Sequence, residues 1–236
     1  MILGDLSRRN ARRYPQKTAV VLGSTRVTFR EFNNRVNSLA NALLDMGVKK
    51  GDRVAVLLDT CHQYIELYCA TPKVGMGLVP LNTALSRDSL CYQINDSATN
   101  TLILGENYSE MVNTSKPELH AVENFVVLGT PQSGAMSYEE LVSTHPPDEP
   151  QVEVDEDDLA YFLYTSGTTG LPKGVMATHK SALAIALNYA FAYRLTTKDV
   201  GLIPLPTCLA GSLCAIILPH LYMGCSIILI KEFTPK

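Results

Sequence analysis

The densest chemistry in this sequence lies in one run, Tyr164-Thr165-Ser166-Gly167-Thr168-Thr169-Gly170-Leu171-Pro172-Lys173-Gly174. Its glycines let backbone N–H groups turn toward an anion, its hydroxyls donate hydrogen bonds or ligate magnesium, and Lys173 adds a movable positive charge. Each part meets a need of a polyphosphate. The order is not that of a Walker loop, because Lys173 is followed by Gly174 instead of Ser or Thr, and it is not a dinucleotide fingerprint. A plain connection has the same composition, since Gly, Ser and Thr are ordinary loop residues. Taken alone, the residue types leave both readings open.

The elements that would position this run alternate between two periods. Thr28 and Glu31 form a capping box, after which Phe32, Val36, Leu39, Leu43 and Met46 recur at helical spacing and Gly47 supplies a stop. Short apolar β-rich runs follow at 53–58, 78–80, 101–104 and 124–128. Helical stretches lie between them, one from a second cap signal at Thr60 and Gln63 toward Lys73, another over 86–96. The expected class is α/β, with layered, mostly parallel sheets flanked by helices. An acidic and proline-rich stretch near 143–158 reads as a solvated connection. Beyond it, 159–164 reads as a strand and 181–193 as a helix with Leu183, Leu187 and Ala190 on its inner side, so the glycine run is expected to join a strand to a helix.

Composition narrows the function classes. The chain has 236 residues, 46% of them hydrophobic, with 20 basic and 23 acidic residues for a formal charge of -3. Nothing in that balance attracts nucleic acid or anionic lipid, so anion recognition has to be local. The six cysteines show no Cys-x-x-Cys pair and read as free, mostly buried thiols. No cluster has zinc-ligand spacing. Asp5 and Arg8 interrupt the start where a signal peptide needs apolar residues, and the expected compartment is the cytoplasm. Val200 to Ile230 carries no charged side chain and is long enough to cross a bilayer. Pro204, Pro206, Pro219, His220 and Gly224 interrupt it, which favours a buried strand, helix, strand unit without a transmembrane segment.

As a whole, the glycine run resembles the phosphate-loop signature of the adenylate-forming superfamily, which includes acyl-CoA synthetases, luciferases and peptide-synthetase adenylation domains. Val27-Thr28-Phe29-Arg30-Glu31-Phe32 and Lys73-Val74-Gly75-Met76-Gly77-Leu78-Val79-Pro80-Leu81-Asn82 resemble two earlier signatures of the same group. The Gly-Thr-Thr-Gly at Gly167 to Gly170 and the Val-Pro-Leu-Asn at Val79 to Asn82 are most similar to acid–CoA ligases. The resemblance implies a fold like the N-terminal domain of acyl-CoA synthetases and a two-step reaction. A carboxylate attacks the α-phosphate of ATP to give acyl-AMP and pyrophosphate, and the thiol of CoA then displaces AMP. It also implies roles: Thr165 as magnesium ligand, Ser166, Thr168 and Thr169 as phosphate donors, Gly167 and Gly170 as positions of close approach, and Lys173 as the charge that stabilises pyrophosphate. The expected small molecules are ATP, Mg2+, CoA and a fatty or other apolar carboxylic acid.

Departures from the family pattern shape further expectations. The later adenine motif, ribose Asp, hinge and small C-terminal domain with a catalytic Lys have no match between Met1 and Lys236. Residues 1–236 thus read as part of an AMP-binding N-terminal domain, expected to complete neither step alone and to self-associate through uncovered faces. Pro204 to Gly211 resembles the segment beside the acyl pocket. Thr207, Cys208, Ala210 and Gly211 become candidate pocket residues, with Pro206 and Thr207 where many members carry an aromatic residue and His. Cys208 has no readable base beside it and is not expected to be a nucleophile. His179 could face phosphate or solvate a helix end, and the second reading is favoured. A nucleotide-binding module without catalysis and a peptide-synthetase type of adenylating enzyme are the competing functions.

Overall fold

The computed structural model describes residues 1–132, 134–165 and 171–231. Helix α1 (Gly4–Arg13) leads into the antiparallel pair β1 (Thr18–Leu22) and β2 (Thr25–Thr28). Helix α2 (Phe29–Asp45) starts at the capping box: the Thr28 hydroxyl accepts the Glu31 N–H, and the Glu31 carboxylate accepts the Thr28 N–H at 2.8 Å. Gly47, at φ 85°, ends it in a conformation glycine adopts without strain.

Next come β3 (Arg53–Leu57), α3 (His62–Lys73), β4 (Gly77–Pro80), α4 (Arg87–Asp96) and β5 (Thr101–Gly105), and then α5 (Ser109–Ser115), β6 (Asn124–Leu128), β7 (Met136–Ser137) and α6 (Tyr138–Thr144). The cap expected at Thr60 is not made. Helix α3 begins one residue later, behind Cys61, which forms no side-chain cap bond. The Thr60 hydroxyl instead accepts the Thr207 N–H at 3.4 Å.

Strand β8 (Leu159–Thr165) pairs antiparallel with β9 (Lys173–Thr178) before α7 (His179–Ala192) begins. The glycine run therefore connects the two strands of a hairpin, not a strand and a helix as its composition suggested. Tight packing supports the pairing, because a Cβ on Gly174 would come within 1.9 Å of the Phe162 ring. The last unit is β10 (Val200–Ile203), α8 (Ala210–Ser212), a π turn over Leu213–Ile217, α9 (Leu218–Met223) and β11 (Ser226–Leu229). Strands β10 and β11 are parallel neighbours, as expected for a strand, helix, strand unit, but β10 is buried on one face only, with Val200 and Leu202 exposed. Among the described residues no helix is long and apolar enough to cross a membrane.

Two sheets result, of order β10-β11-β1-β2 and β7-β6-β5-β3-β4-β8-β9, and most neighbours run parallel. In the larger one, Ala55, Leu57, Val79 and Leu102 meet Leu90 and Ile94 of α4. The alternate residues Val54, Val56, Leu78 and Ile103 meet Phe32, Leu39 and Tyr68 of α2 and α3. Both faces are covered at β3, β4 and β5, which is why these strands read as continuous apolar runs. The expected inner side of α7 needs one correction. Leu183 and Ala190 are buried, but Leu187 is 51% exposed, alongside Phe191 at 84%.

The stretch expected to be a solvated connection is strapped down. Asn37 and Asn41, one turn apart on α2, donate to the carbonyls of Pro147 and Pro146, both at 2.9 Å. The buried Lys73 ammonium reaches Glu149 at 2.9 Å, and Lys50 reaches Asp158 at 2.7 Å. Backbone carbonyls that an irregular segment leaves unpaired are thus satisfied by side chains. All six cysteines are free; Cys69, Cys91, Cys208 and Cys225 are buried, and Cys61 and Cys214 half-buried.

Candidate functional site

Strand β8 ends at the mouth of a cleft of about 330 Å³, where Tyr164 and Thr165 form one wall and Pro172 continues it from the other arm of the hairpin. Pro80 enters from the end of β4, Asn82 and Leu85 from the loop after it, and Gln93 from α4. Cys208, Leu209 and Ala210 supply a second wall. Parallel strands place such loops at their carboxyl ends, where α/β sheets bind ligands. Two segments distant in sequence, the flanks of the glycine run and the candidate acid segment, therefore share one cleft.

Thr165 and Lys173 are register partners at the end of the hairpin. The Thr165 hydroxyl donates weakly to the Lys173 carbonyl, at 3.4 Å, and both residues are exposed. Their polar ends remain available to a ligand. Ser166, Gly167, Thr168, Thr169 and Gly170 lie outside the described residues.

The four candidate acid-pocket residues separate. Cys208 and Ala210 line the cleft, while Thr207 and Gly211 are not in its wall. Thr207 is buried beneath it, where its carbonyl accepts the Tyr68 hydroxyl at 2.7 Å and its N–H reaches Thr60. Tyr68 packs edge-on against Tyr161, and the Tyr161 hydroxyl donates to the Tyr68 carbonyl at 2.8 Å. An aromatic floor thereby holds the segment that carries Cys208. Burial raises the Cys208 thiol above the ordinary cysteine range, so it is held as a neutral thiol in the wall.

His179 does not meet a phosphate or solvate a helix end, because it is completely buried, against Leu3 at the N-cap of α1. The Leu3 N–H donates to its Nδ1 at 3.1 Å, and burial lowers its pKa to about 4. A buried imidazole accepting an N–H must be neutral, with its proton on Nε2. This residue anchors α1 instead of serving the site.

Leu85, Gln93 and Leu163 are lining residues that sequence reasoning did not single out. Only their placement just after a strand, on an inner helix face or in an apolar strand could have suggested them. A larger crevice, about 1000 Å³, opens beyond β3 and β5 between Asp59, His62, Glu106 and Lys231, and none of the candidate site residues lines it. Among the described residues no group of three or more His, Cys, Asp or Glu could hold a metal ion.

A family model described as AMP-binding enzyme matches residues 7–236. The chain is 31% identical over 233 residues to the long-chain-fatty-acid–CoA ligase FadD13 of Mycobacterium tuberculosis, covering 98% of this chain and 45% of that protein. It is 34% identical over 233 residues to a feruloyl-CoA synthase of Amycolatopsis sp, covering 99% of this chain and 45% of that one. Among solved structures, the anthranilate CoA ligase AuaEII in complex with anthranoyl-AMP superposes with a TM-score of 0.93 at 26% identity, over 99% of this chain and 45% of that chain. This chain thus spans less than half the length of these curated relatives.

Proposed function

Because this chain belongs to the AMP-binding enzyme family, we propose that it provides the phosphate-binding part of an ATP-dependent acid–CoA ligase. The observation that carries the reading is the single cleft joining Thr165 and Pro172 to Cys208 and Ala210. A carboxylic acid held against the second wall would present its oxygen to an ATP whose phosphates lie at the first. The apolar side chains of Leu85, Leu163 and Leu209 favour an acid with an apolar body, aliphatic or aromatic.

In the first step a carboxylate oxygen bonds to the α-phosphorus as the bond to pyrophosphate breaks. The Lys173 ammonium is the group of this chain suited to the charge gathering on the leaving pyrophosphate. The Thr165 hydroxyl is a hard oxygen donor of the kind Mg2+ accepts beside phosphate oxygens, and it would contact the ion that enters with ATP. Transfer to the thiol of CoA and a cytoplasmic setting belong to the same proposal.

The test is acid-dependent exchange of labelled pyrophosphate into ATP, in a protein where this chain is continuous with the rest of such a ligase. Exchange is expected only with an apolar acid present, and Lys173→Ala should slow it roughly 100-fold, the usual cost of removing one preorganised stabiliser of developing charge. Exchange that proceeds equally well without any acid would exclude the ligase reading.

A further inference from the structure

Both described arms of the glycine run are tied to the same helix. On the incoming arm, the Tyr164 hydroxyl donates to the Asp96 carboxylate at 2.6 Å and lies 3.1 Å from the Gln93 carbonyl. On the outgoing arm, the Tyr92 hydroxyl donates to the Pro172 carbonyl at 3.4 Å. Tyr92, Gln93 and Asp96 all belong to the last turns of α4, and Gln93 also lines the cleft. The register pair Thr165–Lys173 sits between the two ties.

From this geometry we infer that α4 is the positioning element of the phosphate site, with Asp96 and Tyr92 as residues that hold the two arms of the β8–β9 hairpin at a fixed separation. The inference rests on the proposed phosphate role of Thr165 and Lys173, and it adds residues that touch no ligand themselves. Its physical basis is that Thr165–Lys173 is the last register pair among the described residues, so side-chain bonds to a packed helix help to decide where that pair lies. The short contact to a carboxylate is the stronger kind of hydrogen bond. Burial and the Asp96 bond both raise the Tyr164 pKa, so its hydroxyl stays a donor at neutral pH. The ring itself is held separately, with its centroid 5.4 Å from that of Phe162. Losing the hydroxyl therefore leaves the aromatic packing in place.

The experiment compares the wild-type chain with Tyr164→Phe, Tyr92→Phe, the double variant and Asp96→Asn, whose amide oxygen can still accept the tyrosine hydroxyl. Residue-resolved amide exchange of Thr165 and Lys173 is read beside MgATP titration. The double variant should speed exchange at both amides about ten-fold and weaken MgATP binding by a similar factor, while exchange in α2 is unchanged. Asp96→Asn should stay within about three-fold of wild type, which a loss of general stability would not reproduce. Unchanged exchange at Thr165 and Lys173 in the double variant overturns the positioning role. Faster exchange at those amides in a chain that binds no MgATP upholds the ties and removes the nucleotide reading instead.

Discussion

Between pH 7 and pH 4.5 the folded chain is expected to lose roughly 2 to 3 kcal/mol of stability through one imidazole, that of His179. Its pKa falls from an ordinary 6.5 to about 4 because burial penalises the charged ring, and the raising influence of Asp158 is not enough to offset this. A group with a depressed folded pKa is protonated first in the unfolded chain. As pH drops below about 6.5, protons therefore pull the equilibrium toward unfolding, and the loss is complete once pH passes below about 4. The carboxylates act in a lower window. Glu66, Asp158 and Glu31 lie below their ordinary values and withdraw their stabilisation only as pH falls beneath about 4.5. Urea unfolding at a series of pH values reads the effect directly. His179→Gln, whose side-chain oxygen can accept the Leu3 N–H, should flatten the slope between pH 6.5 and 4.5. An unchanged slope in that variant would show that the imidazole titrates normally and that the ring is not buried.

The second large effect is expected at Arg35. Its guanidinium bonds the buried Glu66 carboxylate at 2.6 Å through Nε and at 3.2 Å through an Nη, and reaches Glu139 at 3.0 Å. His62 and the Tyr138 hydroxyl complete the shell of Glu66 at 3.0 and 2.8 Å. Burial alone would raise the Glu66 pKa, but the bonds from His62 and Arg35 outweigh it and hold the group ionised. The cluster joins α2, α3 and α6. Arg35→Ala leaves a buried carboxylate without its main counter-charge, which typically costs about 3–5 kcal/mol. Tyr138→Phe removes one charged hydrogen bond and should cost about 1.5–3 kcal/mol. Replacing Arg35 and Glu66 together with apolar residues of similar volume should recover much of the Arg35→Ala loss. A single Arg35→Ala variant within about 1 kcal/mol of wild type in chemical denaturation would mean that water reaches Glu66.

Local signals in the sequence make much of this fold legible. Thr28 and Glu31 announce α2 because a capping box is a contact between residues three apart, and Gly47 marks its end for a conformational reason of its own. The apolar runs that became β3 to β5 stand out because a sheet covered on both faces needs apolar side chains at successive positions. Contacts between distant segments were not legible. Nothing near Lys173 states that 173–178 will pair with β8, since that pairing depends on Phe162 packing over Gly174. His179 reads as a helix-end residue until α1 places Leu3 against it from 176 positions away. For the same reason Thr165, Lys173, Cys208 and Ala210 could be singled out by type and resemblance, but the cleft that Thr165, Cys208 and Ala210 share, with Lys173 beside it as the register partner of Thr165, could not. The α4 ties to Tyr164 and Pro172 were equally hidden, because Asp96 and Tyr92 look like ordinary members of a surface helix.

Nucleotide binding by this chain is the most direct measurement: titration with MgATP, and in parallel with magnesium pyrophosphate, of wild type, Lys173→Ala and Lys180→Ala. Lys180 is an exposed lysine beyond the opposite end of the hairpin, paired with Glu156 at 3.2 Å, and it controls for a general loss of positive charge. Saturable binding of both ligands, weakened about ten-fold by Lys173→Ala and unchanged by Lys180→Ala, is the predicted result. Binding that ignores Lys173, or no binding of either ligand to the folded chain, would contradict the assignment of the β8–β9 hairpin as a phosphate site.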